Sequence, residues 1–329
     1  MSKLVLLWLV FLLAVKSSAQ CDSVDLVGQR FEGEFNINTA IIDHIVDLEI
    51  PAKYCIEDLY LFLSEAREEI HELRSFDSVR YGLIELDNNS FELVWKLRKS
   101  LSFFPIPFLD VADRDVNVWR TRFDADLSRL NYGLGLYYFN PLRRSDVLFI
   151  KAATGFNNEL EAFYFLPNLS LDGNWGLKMD YQLLSFSSIA FRTEHNRDIF
   201  FETDHGNTVF EQNELRLGII SKIQANRFID FNIGFARRNL SDNLYKQNPN
   251  YLNSGLSSEN EWSFGCRLIF DKRDNRRFPK AGYRLDLETR YLKNSNRGRD
   301  KAESNVVYKK YWKATAQDLF SIHSVARFQ

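Results

Sequence analysis

The stretch Asp271-Lys-Arg-Asp-Asn-Arg-Arg-Phe-Pro-Lys-Ala-Gly282 is polar and turn-rich, and the segments on either side of it restrict the fold more than any other part of the chain. Before it, Trp262, Phe264, Cys266, Leu268 and Phe270 alternate with Glu261, Ser263, Gly265 and Arg267. After it, Tyr283, Leu285, Leu287, Thr289 and Tyr291 alternate with Arg284, Asp286, Glu288 and Arg290. Side chains of a strand point alternately to its two faces, so each run reads as a β-strand with one aromatic and aliphatic face and one charged face. A soluble hairpin shows the same period. Full charges opposite an unbroken apolar face suit a transmembrane β-barrel, with hydrocarbon outside and water inside. On this reading Tyr283, Leu285, Leu287 and Tyr291 face lipid, and Arg284, Asp286, Glu288 and Arg290 face the lumen.

Asp271-x-Arg273-Asp274-Asn275, then Phe278-Pro279 and Gly282, with an amphipathic strand on each side, resembles the signature turn of the bacterial surface-antigen barrels. These are the BamA/TamA-like outer-membrane assembly and translocation proteins. The resemblance implies a POTRA-like periplasmic module followed by an antiparallel transmembrane β-barrel in the cell outer membrane. It implies assistance to the insertion of β-barrel proteins or to the secretion of polypeptides, with no chemical step and no cofactor. The implied partners are the outer-membrane lipid bilayer, unfolded outer-membrane or secreted polypeptide clients, and periplasmic accessory proteins. A passive pore or surface structural protein is the alternative that keeps the barrel without the assembly activity.

Lys3 precedes an apolar run from Leu4 to Val15, and Ser17-Ser18-Ala19 supplies small residues for cleavage, so residues 1–19 read as a secretory signal. Gln20 before Cys21 fits a lipoprotein signal poorly, since a small residue is expected there. Cys21 and Cys55 either pair in an oxidising periplasm or remain free thiols. No later apolar run is long enough for a transmembrane helix. A net charge of −2 gives no case for nucleic-acid binding.

Residues 20–100 read as a small α+β module. An extended segment from Leu26 to Glu34 leads to a helical pattern at Ile37, Ile41, Ile42, Ile45 and Val46, ended by Pro51. A second helix is predicted from Ile56 to Leu73, with Leu59, Leu63, Ala66 and Ile70 on one face. Two alternating strands around Tyr81 and Trp95 close the module, and this β-α-α-β-β order is what resembles a POTRA module. Residues 101–119 read as a connector, because Pro105 and Pro107 forbid a central strand.

From about residue 120 to 329 the chain reads as a partial surface-antigen-type barrel of about ten strands, the last two weakly marked, with polar loops at Thr193–Asn213 and Arg237–Ser258. The turn after Asn140 has Arg143 where the resembling family usually has glycine. That family's barrel has sixteen strands and a terminal aromatic, whereas this chain stops at Phe328-Gln329. It is therefore expected to be C-terminally incomplete or a shortened variant.

Catalytic patterns are missing. The five histidines show no H-E-x-x-H spacing, and there is no G-x-S-x-G, Walker A or G-x-G-x-x-G. The expectation is a protein that is not an enzyme and holds no metal.

Overall fold

A computed structural model describes residues 21–73, 75–87, 89–112, 115–195, 197–203, 207–224, 226–252, 254–274, 278–296, 300–313 and 319–328. The signal segment expected over 1–19, and Asn275 of the motif turn, lie outside the described residues. The chain divides into two compact units. One runs to Ser100 without Ile37–Ile41, and the other holds those residues and everything from Leu101 onward.

In the first unit β1 (Ser23–Glu34) is followed by α1 (Thr39–Val46), β2 (Ala52–Cys55), α2 (Ile56–Glu72), β3 (Phe76–Asp87) and β4 (Ser90–Lys99). The sheet order is β2-β1-β4-β3, with β1 parallel to β4 and the other pairs antiparallel. Strand β2 is an addition to the order expected from sequence. Its four residues pair only with β1, too short a run to show a period. Helix α2 forms because Leu59, Leu63, Ala66 and Ile70 recur at spacings of four, three and four, and all four are buried. Glu57 and Asp58 in its first turn and His71 in its last suit the helix dipole. Leu26, Ile42, Leu93 and Trp95 are fully buried, and the Tyr81 ring meets Trp95 edge-on at 5.6 Å. Cys21 and Cys55 are paired, with Cα atoms 5.6 Å apart.

The second unit is built on one antiparallel sheet of eleven strands. They are β5 (Phe103–Val111), β6 (Leu130–Phe139), β7 (Val147–Gly155), β8 (Asn158–Leu166), β9 (Trp175–Phe186), β12 (Phe210–Gln224), β13 (Arg227–Leu240), β14 (Ser258–Asp271), β15 (Gly282–Asn294), β16 (Lys301–Lys313) and β17 (Leu319–Phe328). Each pairs with its sequence neighbour, and a separate hairpin of β10 (Ser188–Glu194) and β11 (Arg197–Glu202) is inserted between β9 and β12. The expected barrel is an open sheet here: among the described residues β5 and β17 are its edges, each paired on one side only.

Residues 103–111, read as part of a connector, form an edge strand. Phe139 N–H donates to Ser102 O at 2.7 Å and Ala112 N–H to Arg129 O at 2.9 Å. Even-numbered residues of β5 therefore bond to β6, and the nitrogens of Pro105 and Pro107 point outward, where no ladder bond is lost. The prolines exclude a central strand and fit an edge.

Short turns at 140–146, 167–174 and 272–281 mark one end of the sheet, the turn end. The loop end carries the longest connections, 112–129, 187–209 and 241–257, beside the short 156–157 and 295–300. The two segments read as polar loops are partly regular there: they contain the whole of β11, the end of β13 and helix α4 (Asp242–Gln247). Phe191, Val209, Leu240, Leu244 and Leu252 form a small buried core beneath them. These residues carry no period, so only the tertiary structure brings them together. Helix α3 (Val116–Arg122) lies in the β5–β6 connection. Nearby, buried Arg129 pairs with Glu202, its guanidinium 3.8 Å from the Phe123 ring and 4.5 Å from that of Phe156.

Candidate functional site

Directly opposed residues of an antiparallel ladder lie on the same face of the sheet. The register Asp271↔Arg284, Glu288↔Arg267, Arg267↔Asp230 and Gly218↔Asn232 can therefore be followed across the sheet, together with Gly218↔Lys178. It puts Arg284, Asp286, Glu288 and Arg290 on one face with Lys178, Arg216, Asp230, Arg238 and Arg267. Tyr283, Leu285, Leu287 and Tyr291 lie on the other.

The charged face is a ladder of ion pairs. Arg267 Nε donates to Asp286 Oδ1 at 2.6 Å, and Arg284 reaches Asp286 at 3.2 Å and Asp271 at 3.8 Å. Lys178 pairs with Asp230, Arg216 with Glu214 at 2.6 Å, and Arg238 with both Glu259 and Glu261 at 3.3 Å. Glu288 holds Arg290 at 3.3 Å. Arg267, Asp230 and Lys178 were not among the residues assigned to the lumen from sequence. Their pairings span up to 52 positions, and only the strand register connects them. The same alternation that marked β15 identifies the charged face of each strand, though not its partner.

The opposite face is apolar and exposed. Near the turn end it carries Tyr138, Tyr164, Trp175, Phe270, Tyr283 and Trp312, and near the loop end Tyr132, Phe235, Trp262 and Tyr291. Between these two aromatic rows run Leu134, Leu136, Ile150, Leu217, Ile219, Leu268, Leu285 and Leu287. Phe231 on this face is 54% exposed, while its neighbour Asp230 on the charged face is 5% exposed. Tyr283 to Tyr291 is nine residues, within the roughly 9–11 that a tilted strand needs to cross a hydrocarbon core. No described helix is long and apolar enough to cross a membrane, which does not bear on strands.

The motif turn closes the β14–β15 hairpin. Arg273 grips Asp271 with two bonds of 2.7 Å, Nε to Oδ1 and Nη2 to Oδ2. This carboxylate keeps Arg273 above its ordinary basicity, with burial opposing and Tyr311 assisting. Asp274 Oδ1 accepts from the backbone N–H groups of Lys280 at 2.9 Å and Ala281 at 3.0 Å. Gly282 has φ of 98°, and a Cβ there would lie 1.9 Å from Lys272 O, so only glycine fits. Phe278 is 79% exposed and Pro279 half-buried. The turn thus gathers Asp271, Arg273, Arg284 and Asp286 into one chain of charges. Among the described residues no group of acidic, histidine or cysteine side chains is arranged to hold a metal ion.

No family model and no curated protein matches the sequence. Among solved structures, BamA from Haemophilus ducreyi lacking POTRA domains 1–3 matches with a TM-score of 0.54 and 11% identity, over 92% of this chain and 55% of that one. CdiB from Acinetobacter baumannii matches with a TM-score of 0.47 and 12% identity over 92% of this chain and 52% of that one. CdiB from Escherichia coli gives 0.40 and 11% over 96% and 71%. These two scores are too low to carry weight. The chain spans about half the length of the BamA structure, and at this identity the likeness concerns architecture: the chain has the fold of that BamA structure.

Proposed function

We propose that this chain is an outer-membrane protein of the assembly or translocation type, with the N-terminal unit as a POTRA-like module in the periplasm. The eleven-stranded sheet is then the wall of a barrel, its apolar face against lipid and its ion-paired face lining the lumen. The observation that carries this reading is the two-faced sheet: an exposed aliphatic band between aromatic rows, backed by paired charges. The fold shared with BamA and the motif turn Asp271–Gly282 support the assembly role. Backbone N–H and C=O groups cannot stay unpaired in hydrocarbon, so a client strand gains from a protein template before it enters the bilayer. Binding of unfolded outer-membrane or secreted polypeptides, and of periplasmic accessory proteins, belongs to this proposal, as does the absence of any enzymatic step.

The test is depletion of the protein in its bacterium, with quantification of the other outer-membrane proteins. Their fall supports the assembly role. Unchanged levels, with the protein itself in the outer membrane, would make it a passive pore or surface structural protein.

A further inference from the structure

At the turn end the apolar face gathers positive charge. Lys272 continues β14, its N–H donating to Tyr283 O at 2.8 Å, and Tyr283 stands opposite Lys310 in the register. A single row of the sheet therefore reads Lys272, Tyr283, Lys310. Arg227 opposes Phe270, two residues before Lys272 on the same face, and its guanidinium lies 5.9 Å from the Phe270 ring centroid. Diagonal neighbours on one sheet face are about 7–8 Å apart, within reach of long side chains. All three cations are exposed, and among the described residues none has a carboxylate partner. Two carboxylates of the motif turn are engaged elsewhere. Asp271 holds Arg273 on the charged face, and Asp274 accepts backbone N–H groups of the turn. At the loop end the cations on this face, Arg237 and Lys293, likewise form no ion pair among the described residues, but Glu211 and Asp300 stand close by them in the register.

Aromatic rings at the edge of an apolar band and unpaired cations just beyond it match the depth profile of a phospholipid: acyl chain, glycerol region, then phosphate. We propose that Arg227, Lys272 and Lys310, around Phe270 and Tyr283, form a head-group site for an anionic phospholipid of the leaflet at the turn end. This rests on the reading of the apolar face as lipid-facing. The acyl chains lie along Leu285 and Leu268, and the phosphodiester bridges the two lysines across Tyr283. Among the described residues the three cations have no carboxylate partner, which gives the site its sign, and the three-point arrangement distinguishes it from an isolated surface lysine.

The full chain is refolded into phosphatidylcholine vesicles, and tryptophan quenching is compared for brominated phosphatidylglycerol and brominated phosphatidylcholine of the same chains. One cation near an anionic head group contributes a factor of about five, so the wild type is expected to favour phosphatidylglycerol by at least that much at low salt. The triple variant Arg227→Gln, Lys272→Gln, Lys310→Gln is expected to lose the preference while phosphatidylcholine quenching is unchanged. The double variant Arg237→Gln, Lys293→Gln keeps it. Equal quenching by both lipids in the wild type overturns the head-group site and leaves the membrane reading intact, whereas no quenching by either lipid removes the membrane reading itself. Loss of the preference in the double variant, or its abolition by millimolar inorganic phosphate, assigns it to general charge or free anion binding and also overturns the proposal.

Discussion

The two units use the same strand alternation with opposite faces buried. In the N-terminal sheet Trp95 is fully buried while its neighbour Lys96 points to water. In the eleven-stranded sheet the order is inverted: Asp230 is buried among charges and Phe231 is exposed. The first unit is an ordinary globular core, where burying apolar surface is the main favourable term. The second buries paired ions and leaves its apolar face exposed, which suits the lipid contact proposed for it. Period two therefore announces a strand. Which face is covered, and by what, depends on the partners that the register supplies.

The sharpest contrast is between Leu63 and Leu287. Leu63 is fully buried, so Leu63→Ala is expected to leave a cavity and cost about 2–5 kcal/mol, read as faster hydrogen exchange of the β4 amides around Trp95. On the lipid-facing reading Leu287→Ala leaves no such cavity, because fluid acyl chains would fill the space, and its cost is expected to be the smaller of the two. Equal costs would break the contrast.

Leu287 lies midway between Tyr283 and Tyr291. Leu287→Arg is expected to cost about 2–4 kcal/mol in urea titrations of the chain folded in vesicles, with a matching loss of the heat-modifiable band. Glu288→Ser, one residue away on the charged face, is expected to be mild. A severe Glu288→Ser beside a mild Leu287→Arg would exchange the two faces.

Arg273→Ala removes both bonds to Asp271 and leaves that carboxylate with Arg284 at 3.8 Å. Charge-assisted bonds of this kind contribute about 1.5–3 kcal/mol, so a lower unfolding temperature in vesicles is expected, with the N-terminal unit unaffected. An unchanged temperature would reduce the motif to a turn with no measurable role.

The smallest effect is expected at Arg143, which adopts φ of 60° in the β6–β7 turn. The left-handed conformation costs a non-glycine residue about 1–2 kcal/mol, and glycine adds chain entropy to the unfolded state. Arg143→Gly is therefore expected to stabilise slightly, by about 1 kcal/mol or less. Destabilisation would show that the Arg143 side chain contributes more than its backbone strain.

Much of the fold was legible in the sequence, and its gaps have physical causes. Helix α2 and strands β14 and β15 were plain because one local period decides them. Strand β12 was readable only around Leu215, Leu217 and Ile219, since its Glu211-Gln-Asn-Glu214 end carries no apolar alternation. Strand β5 was hidden by prolines whose outward orientation depends on β6. The motif turn was recognisable, but the two-bond grip of Arg273 on Asp271 was not. Asp274 sits where the turn's own N–H groups claim it. The Lys178–Asp230 pair was beyond reach from the sequence, because a register linking β9 through β12 to β13 brings it together.

The contrast between the units rests on the apolar face meeting hydrocarbon, and one pair of spin labels reads this directly. Leu287→Cys and Glu288→Cys are made in a Cys266→Ser background, labelled, refolded into vesicles, and their collision rates with oxygen and a water-soluble nickel chelate are compared. A lipid-facing Leu287 predicts high oxygen and low nickel accessibility at 287 and the reverse at 288. Nickel accessibility at 287 equal to or above that at 288 would contradict it and return the sheet to water.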